Sequence, residues 1–299
     1  MAVAAAGDIT ALIPAAGLGT RMVPATKEIP KEMLPVPYTR DGAPLFKPFI
    51  QVVFEHLYEA GIRVFVVVVG RGKRILQDHF VADWSFQEYL AARGKEREAR
   101  ELERFYSMLE DSTIIWVDQP TPRGLGDAVA RGLKAVSAGR VLIHLGDILL
   151  HSPGHNHVRD LIETAASCSE CTGTISLQPV DNPKSYGVAS PAGRAGCTGE
   201  TPTIEALLRI ADLVEKPSIP PSRLAIAGIY LLPAHLIREA LQRSGENPRT
   251  GEKELTDALR LLAREGRLCG AQTRRTAYID IGKPERYLQA IRMLAGDKP

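Results

Sequence analysis

The chain has 299 residues, 44% hydrophobic and 24% charged, with a formal net charge of +2. That near-balance excludes a general nucleic-acid or membrane-surface binder, and no window nears the ~18 uninterrupted apolar residues of a transmembrane span. The length suffices for one large core or two modest ones.

The opening MAVAAAGDIT is small and apolar, lacks a basic leader and runs into a strand-like segment, so a cytoplasmic chain without signal peptide is expected. ITALIPA (9–15) is a short apolar run ending before glycine, the pattern of a buried strand. KPFIQVVFEHLYEAGI has helical spacing, with Ile50, Val53, Phe54 and Leu57 on one face and a stop at Gly61. RVFVVVVG, TIIWVDQ and RVLIHLGD are nearly continuous apolar runs, as strands covered on both faces are. The helical LGDAVARGLKAV lies between the last two. Strand and helix alternating in this way predict an α/β fold with a mostly parallel twisted sheet flanked by helices and right-handed crossovers.

Residues 85–110 are dense in charges at i,i+4 spacing and predict a peripheral solvated helix or helical pair. SPAGRAGCTGETPT (190–203) reads as a loop or hairpin tip, RLAIAGIYLLP as a strand, and KELTDALRLLAREG as an amphipathic helix closed by Gly266. There is no internal repeat and no convincing linker, so one domain is expected. Four cysteines in so long a chain do not predict a disulfide framework. Cys168 and Cys171 form a lone CxxC, with Cys197 and Cys269 far away in sequence, and a zinc site would want a second ligand pair at suitable spacing. Buried or incidental thiols are expected, with a redox pair or local disulfide as the other reading.

The segment AAGLGTRMVPATKEIPKEMLPV (15–36) poses the functional question. It lacks the Gly-Lys-Ser/Thr ending of a Walker loop, and GRGKR (70–74) lacks the spacing and hydroxyl. Pro24, Pro30 and Pro35 bar the uninterrupted helix of a dinucleotide fingerprint. What remains is an extended, proline-braced loop with glycine amides followed by Arg21, Lys27 and Lys31, suited to wrapping a triphosphate.

The same residues resemble the signature of the sugar-1-phosphate nucleotidyltransferases. The TKEIPKEMLP continuation resembles the UTP–glucose-1-phosphate uridylyltransferase branch, the UDP-glucose pyrophosphorylases of bacterial and archaeal type. The resemblance continues through QPTPRGLGDAV, LGDILL, SYGVA, LVEKP, AIAGIYLLP, GEKELTDAL and YIDIGKPERYLQAI, in family order over nearly the whole chain. It implies a Rossmann-like nucleotide-diphospho-sugar transferase fold with a smaller sugar-binding sheet region. The nucleotide part spans about 8–150 and the sugar-binding and C-terminal part about 151–299. It also implies uridylyl transfer from UTP to glucose 1-phosphate with Mg2+, and a homodimer or homotetramer with no nucleic-acid or membrane partner.

Such a reaction brings two anions together, so its catalysis is mainly positioning and charge neutralisation. Asp147 and Asp280 each follow an apolar strand-like run and match the family's metal-binding aspartates. Ala16, Gly17, Leu18, Gly19 and Thr20 would cradle the triphosphate, with Arg21 and Lys31 as catalytic cations beside Asp147 and Lys216. Gln119 and the backbone near Gly124 would read the base. Gly187, Glu215, Lys216, Ala227 and Gly228 would hold the sugar phosphate. One departure is Asp127, which stands where the family usually has histidine. It is expected to point away from the phosphates or to alter nucleotide preference. A thymidylyltransferase using dTTP and a non-catalytic nucleotide-binding paralogue are the alternatives.

Overall fold

The computed structural model describes residues 7–40, 43–197, 200–248 and 251–296. The first six residues, part of the expected leaderless opening, lie outside the described residues. Among the described residues, no helix is long and apolar enough to cross a membrane.

A nine-stranded sheet runs through the molecule. Its first half is built from β1 (Ile9–Ala15), β4 (Val64–Gly70), β5 (Thr113–Gln119) and β6 (Arg140–His144). These lie in the order β6-β1-β4-β5, all parallel, with Leu12 level with both Val66 and Ile143. The apolar runs are continuous because both faces are covered. Ile9, Ala11, Ile13 and Ala15 of β1 face one core and Leu12 the other. The first core holds helix α1 (Phe49–Glu59), whose Ile50, Val53, Phe54 and Leu57 are all buried as their spacing predicts. Phe54, Phe65, Phe80 and Phe105 form its centre, with ring centroids 4.7–6.0 Å apart where Phe54 meets the others. Each such ring contributes about 1.5–3 kcal/mol by its burial.

The second half adds β9 (Gly173–Pro179), β10 (Gly187–Arg194), β11 (Ile204–Glu215), β12 (Leu224–Pro233) and β13 (Leu268–Thr273). The full order is β10-β11-β13-β9-β12-β6-β1-β4-β5. Here the parallel expectation applies only to β13 with β9; β12 joins both β6 and β9 antiparallel, and β10 and β11 form an antiparallel hairpin. The sheet is therefore mixed, with its parallel strands concentrated where the helical crossovers α1 and α5 (Leu125–Gly132) lie. Two smaller sheets flank it. One pairs β2 (Pro35–Arg40) with β3 (Ala43–Pro48), and the other orders β14 (Ala277–Asp280), β7 (Ile148–Ser152) and β8 (His155–Asn156).

Three local expectations need adjustment. The charged segment forms the helical pair α3 (Trp84–Ala92) and α4 (Glu96–Glu110), after the short α2 (Arg74–His79). It is not wholly solvated, because α4 buries Ala99, Phe105, Tyr106, Met108 and Leu109 against the sheet. The hairpin tip expected at 190–203 is shorter, since β10 continues to Arg194; residues 198 and 199 lie outside the described residues. The cysteines are not thiols. Cys168, which follows α6 (His157–Ala166), is bonded to Cys197, and Cys171 to Cys269. Residues distant in sequence became neighbours once β9, β13 and the β10–β11 hairpin packed together.

Candidate active site

β1 delivers the chain to a glycine turn at the carboxyl ends of the parallel strands, where open α/β sheets bind ligands. Gly19 takes a left-handed φ of 66°, which a side chain would strain. Its carbonyl accepts Thr26 Oγ1 at 2.7 Å and the Met22 amide at 2.9 Å. Beyond it the prolines permit only short 3-10 turns, Thr20–Met22 and Lys31–Met33, in keeping with a braced loop rather than a helix.

Behind this turn lies a buried brace that sequence reasoning missed. Lys73 Nζ donates to the Ala15 carbonyl at 2.6 Å and to Glu32 Oε2 at 3.0 Å. Glu32 is 1% exposed and Lys73 9%. Burial pushes the Glu32 carboxyl up and the Lys73 ammonium down, each partly offset by the other's charge. Both residues sat in noticed motifs, PKEMLP and GRGKR, but nothing in the spacing paired them.

The turn opens on a cleft of about 420 Å³. Ala16, Gly17, Leu18, Gly19, Thr20, Arg21, Lys31, Gln119, Gly124 and Asp147 all line it. Lys31 Nζ lies 3.8 Å from where a Gly17 side-chain carbon would sit, and it is ion-paired with Asp147. Burial works against the Lys31 charge, but Asp147, Glu32 and Asp280 outweigh it and hold the ammonium above its ordinary range. Burial likewise opposes the Asp147 carboxylate, while Lys31 and Arg21 bring it below the usual carboxylate range. Lys27 is a surface charge, 78% exposed beside Glu28.

Asp280 reaches the same place through strand pairing. β14 runs antiparallel to β7 with Asp280 level with Ile148, and the Ile281 amide donates to the Asp147 carbonyl at 3.1 Å. Gly282 marks the meeting point: a carbon built on it would lie 2.9 Å from Asp280 Oδ1, 3.6 Å from Asp147 Oδ2 and 3.5 Å from Arg21 Nη2. Two carboxylates and a guanidinium therefore share one small space. Oxygen donors of this kind and number suit magnesium, which takes one or two carboxylates and completes its shell with phosphate and water. Each carboxylate also has a protein partner, Asp147 with Lys31 and Asp280 with Arg286 and the Gly282 amide.

The residues expected to hold the sugar phosphate form a neighbouring group. Gly187 and Glu215 are partners in the β10–β11 register. Glu215 accepts Thr256 Oγ1 at 2.8 Å and pairs with Lys216 Nζ at 3.1 Å. Lys216 has a φ of 43° and a side chain 64% exposed. Ala227 and Gly228 lie at an irregularity of β12, and the Gly228 carbonyl accepts the Leu145 amide at 3.0 Å. A side chain at Gly228 would strike Ile148 Cδ1 at 2.7 Å, so packing alone accounts for glycine there. None of these five residues lines the 420 Å³ cleft itself. The buried Tyr230 phenol links the two groups: burial, then Glu215 and Asp147, push its pKa up.

At the opposite end, Gln119 Nε2 donates to Gly124 O and to Asp127 Oδ2. Burial opposes the Asp127 charge, but Gln119 and Arg131 hold it below the usual carboxylate range. Asp127 does not itself line the cleft; it is bonded to Gln119, which does, and to Arg131. Gly124 and Gly126 press on the backbone of Lys253, and Glu252 enters the lining from that segment. Glu252 stands in the block GEKELTDAL, but the sequence alone assigned it no role.

A model of the nucleotidyl transferase family matches residues 10–296. The UTP–glucose-1-phosphate uridylyltransferase of Streptococcus pyogenes is 33% identical over 281 residues, 91% of this chain and 84% of that one. A solved UDP-glucose pyrophosphorylase complexed with UDP-glucose superposes with a TM-score of 0.79 at 30% identity, covering 97% of this chain and 99% of the other. The UTP-bound enzyme of Acinetobacter baumannii superposes with a TM-score of 0.78 at 28% identity, covering 97% and 94%.

Proposed function

Because the chain belongs to the nucleotidyl transferase family, we propose that it transfers a uridylyl group from UTP to glucose 1-phosphate, giving UDP-glucose and pyrophosphate. The observation that carries this reading is the convergence of Asp147, Asp280 and Arg21 on one point beside the glycine turn and Lys31. The turn amides hold the triphosphate, and Arg21 and Lys31 offset the charge that builds on the departing pyrophosphate. Glu215 accepts from sugar hydroxyls, and Lys216 meets the sugar phosphate. That phosphate attacks the α-phosphorus in line, so no covalent nucleophile on the protein is needed.

Family enzymes use a divalent metal, and the finer reading here is Mg2+ held by Asp147 and Asp280. Bound there, it supplies charge neutralisation between the approaching phosphates. Gln119 reads the base. With its amide hydrogens directed at Gly124 and Asp127, it offers Oε1 as acceptor, which suits the N3–H of uracil and not the bare N3 of cytosine. A cytoplasmic homodimer or homotetramer belongs to the same proposal.

The test is pyrophosphate release over a panel of nucleotides and sugar phosphates with magnesium, with light scattering for assembly. The expected result is a maximum with UTP and glucose 1-phosphate. Some use of dTTP is expected, since one methyl group is worth only ~1–3 kcal/mol of discrimination. A clear dTTP preference, or no release with any pair, overturns the proposal.

A further inference from the structure

The four cysteines of the chain form two adjoining disulfides, away from the glycine-turn cleft, which none of them lines. They arrive from three separate segments. Cys168 and Cys171 sit on the turn after α6, closed by the Cys171 amide donating to the Cys168 carbonyl at 3.4 Å. Cys197 comes from the hairpin tip and Cys269 from β13. Their Cα atoms are 5.6 Å apart for Cys168–Cys197 and 5.5 Å for Cys171–Cys269.

The two bridges touch. Cys168 Sγ is 3.5 Å from Cys171 Sγ, and the sulfurs of Cys168, Cys171 and Cys197 all lie within 4.8 Å of one another. Cys269 joins the knot through its bond to Cys171. A tetrahedral zinc tetrathiolate has Zn–S bonds of ~2.3 Å and so places its sulfurs about 3.8 Å apart. The Cys168–Cys171 spacing is already near that value. The two bonded pairs would have to open on reduction, and Cys269, which lies outside the 4.8 Å group, would have to swing toward Cys168 and Cys197.

The surroundings match a closed site. Cys168, Cys171 and Cys269 are 2%, 8% and 2% exposed, while Cys197 is half-buried at the hairpin tip. A site closed by four cysteines has no coordination position left for substrate. Glu170, inside the CxxC turn, accepts the Gly196 amide at 3.1 Å and faces Arg209 Nη1 at 3.8 Å. Those contacts seat the hairpin tip over the turn independently of any sulfur bond, so Cys197 is already in place.

Disulfides are rare where glutathione and thioredoxin keep thiols reduced, and four freed sulfurs here would be crowded together without partners. We infer that in the reduced chain these four cysteines bind one zinc ion as a structural Zn(Cys)4 site, of which the two disulfides are the oxidised form. Binding deprotonates the four thiols and releases their protons. Oxidation forms two S–S bonds, removes four electrons and frees Zn2+. Two hydrogen peroxide molecules, each reduced to two hydroxide ions, balance it. Bound zinc ties the α6–β9 connection, the hairpin tip and β13 together.

The test uses the whole chain, purified reduced with zinc present and then passed over a chelator. Elemental analysis should give one zinc per chain, and the thiols should resist a thiol reagent until the metal is stripped. Cobalt in its place should show thiolate-to-metal charge-transfer absorption. Cys197→Ser should weaken zinc retention at least tenfold. Cys197→His should keep it, since Cys3His sites bind zinc whereas histidine cannot restore a disulfide. The inference is overturned if the folded, reduced chain retains no zinc. It is equally overturned if Cys197→Ser retains zinc as the parent does, or if hydrogen peroxide closes the reduced chain to two disulfides as fast with zinc in excess as without it.

Discussion

Gln119 donates its side-chain amide to the Asp127 carboxylate at 2.9 Å, while Arg131 Nε holds the same oxygen at 2.8 Å. The Asp127 carboxylate thus takes up one side-chain amide hydrogen of Gln119; on the proposed base-reading role of Gln119, that bond sets which face of the amide meets a base. Asp127→Ala should free the amide to turn its NH2 toward cytosine N3. The ratio of kcat/KM for UTP over CTP should fall about tenfold, the equivalent of one hydrogen bond. Asp127→Asn keeps an acceptor and should retain most of the preference. An unchanged ratio in Asp127→Ala would separate Asp127 from base selection.

Asp147→Asn should lower kcat on the order of 100-fold, because a neutral amide weakens the metal site and leaves Lys31 without its counter-charge. The protein should stay folded by circular dichroism. Near-normal turnover at ordinary magnesium would remove Asp147 from the metal site.

Lys216 is largely exposed and held by Glu215. Lys216→Ala should raise KM for glucose 1-phosphate about tenfold with little change for UTP. Equal effects on both substrates would contradict its placement on the sugar phosphate.

The Glu32–Lys73 brace carries stability behind the glycine turn. Glu32→Gln leaves Lys73 buried against a neutral partner and should cost about 3 kcal/mol in urea unfolding. The double variant Glu32→Leu/Lys73→Met removes both charges and should cost less. If the double variant is the worse of the two, the pair is not an uncompensated-charge problem.

Acid should unfold the protein in part through His144 and His157, both fully buried. Burial holds their pKa values down to about 4 and about 3. In the unfolded chain they titrate near the ordinary histidine value of about 6.5. Above that pH neither state is protonated and the pair contributes nothing. Below it the unfolded chain takes up protons that the folded one refuses. Stability should therefore fall by about 1.4 kcal/mol per pH unit per histidine until the folded values are reached. Urea midpoints between pH 7 and pH 5 measure the slope. His157→Gln should flatten it.

The parallel half of the fold, the proline-braced loop and the cluster of Ala16–Arg21, Lys31, Gln119 and Asp147 were legible in the sequence. Local pattern carries the strands, the loop and its cations: apolar runs ended by glycine make strands, prolines forbid a helix, and a short loop keeps its cations near its glycines. Gln119 and Asp147 were joined to them by the family resemblance. Other relationships depend on contacts between segments far apart in the chain. Asp280 meets Asp147 only because β14 pairs with β7. Lys73 meets Glu32 across the end of β1. Cys269 meets Cys171 across a sequence separation of 98 residues. The antiparallel arrival of β12, β10 and β11 was equally hidden, since an apolar strand reads alike in either direction. Sequence spacing records what a residue is and what its near neighbours permit; strand register, set by the burial of two whole faces, decides which distant charges and sulfurs must share a space.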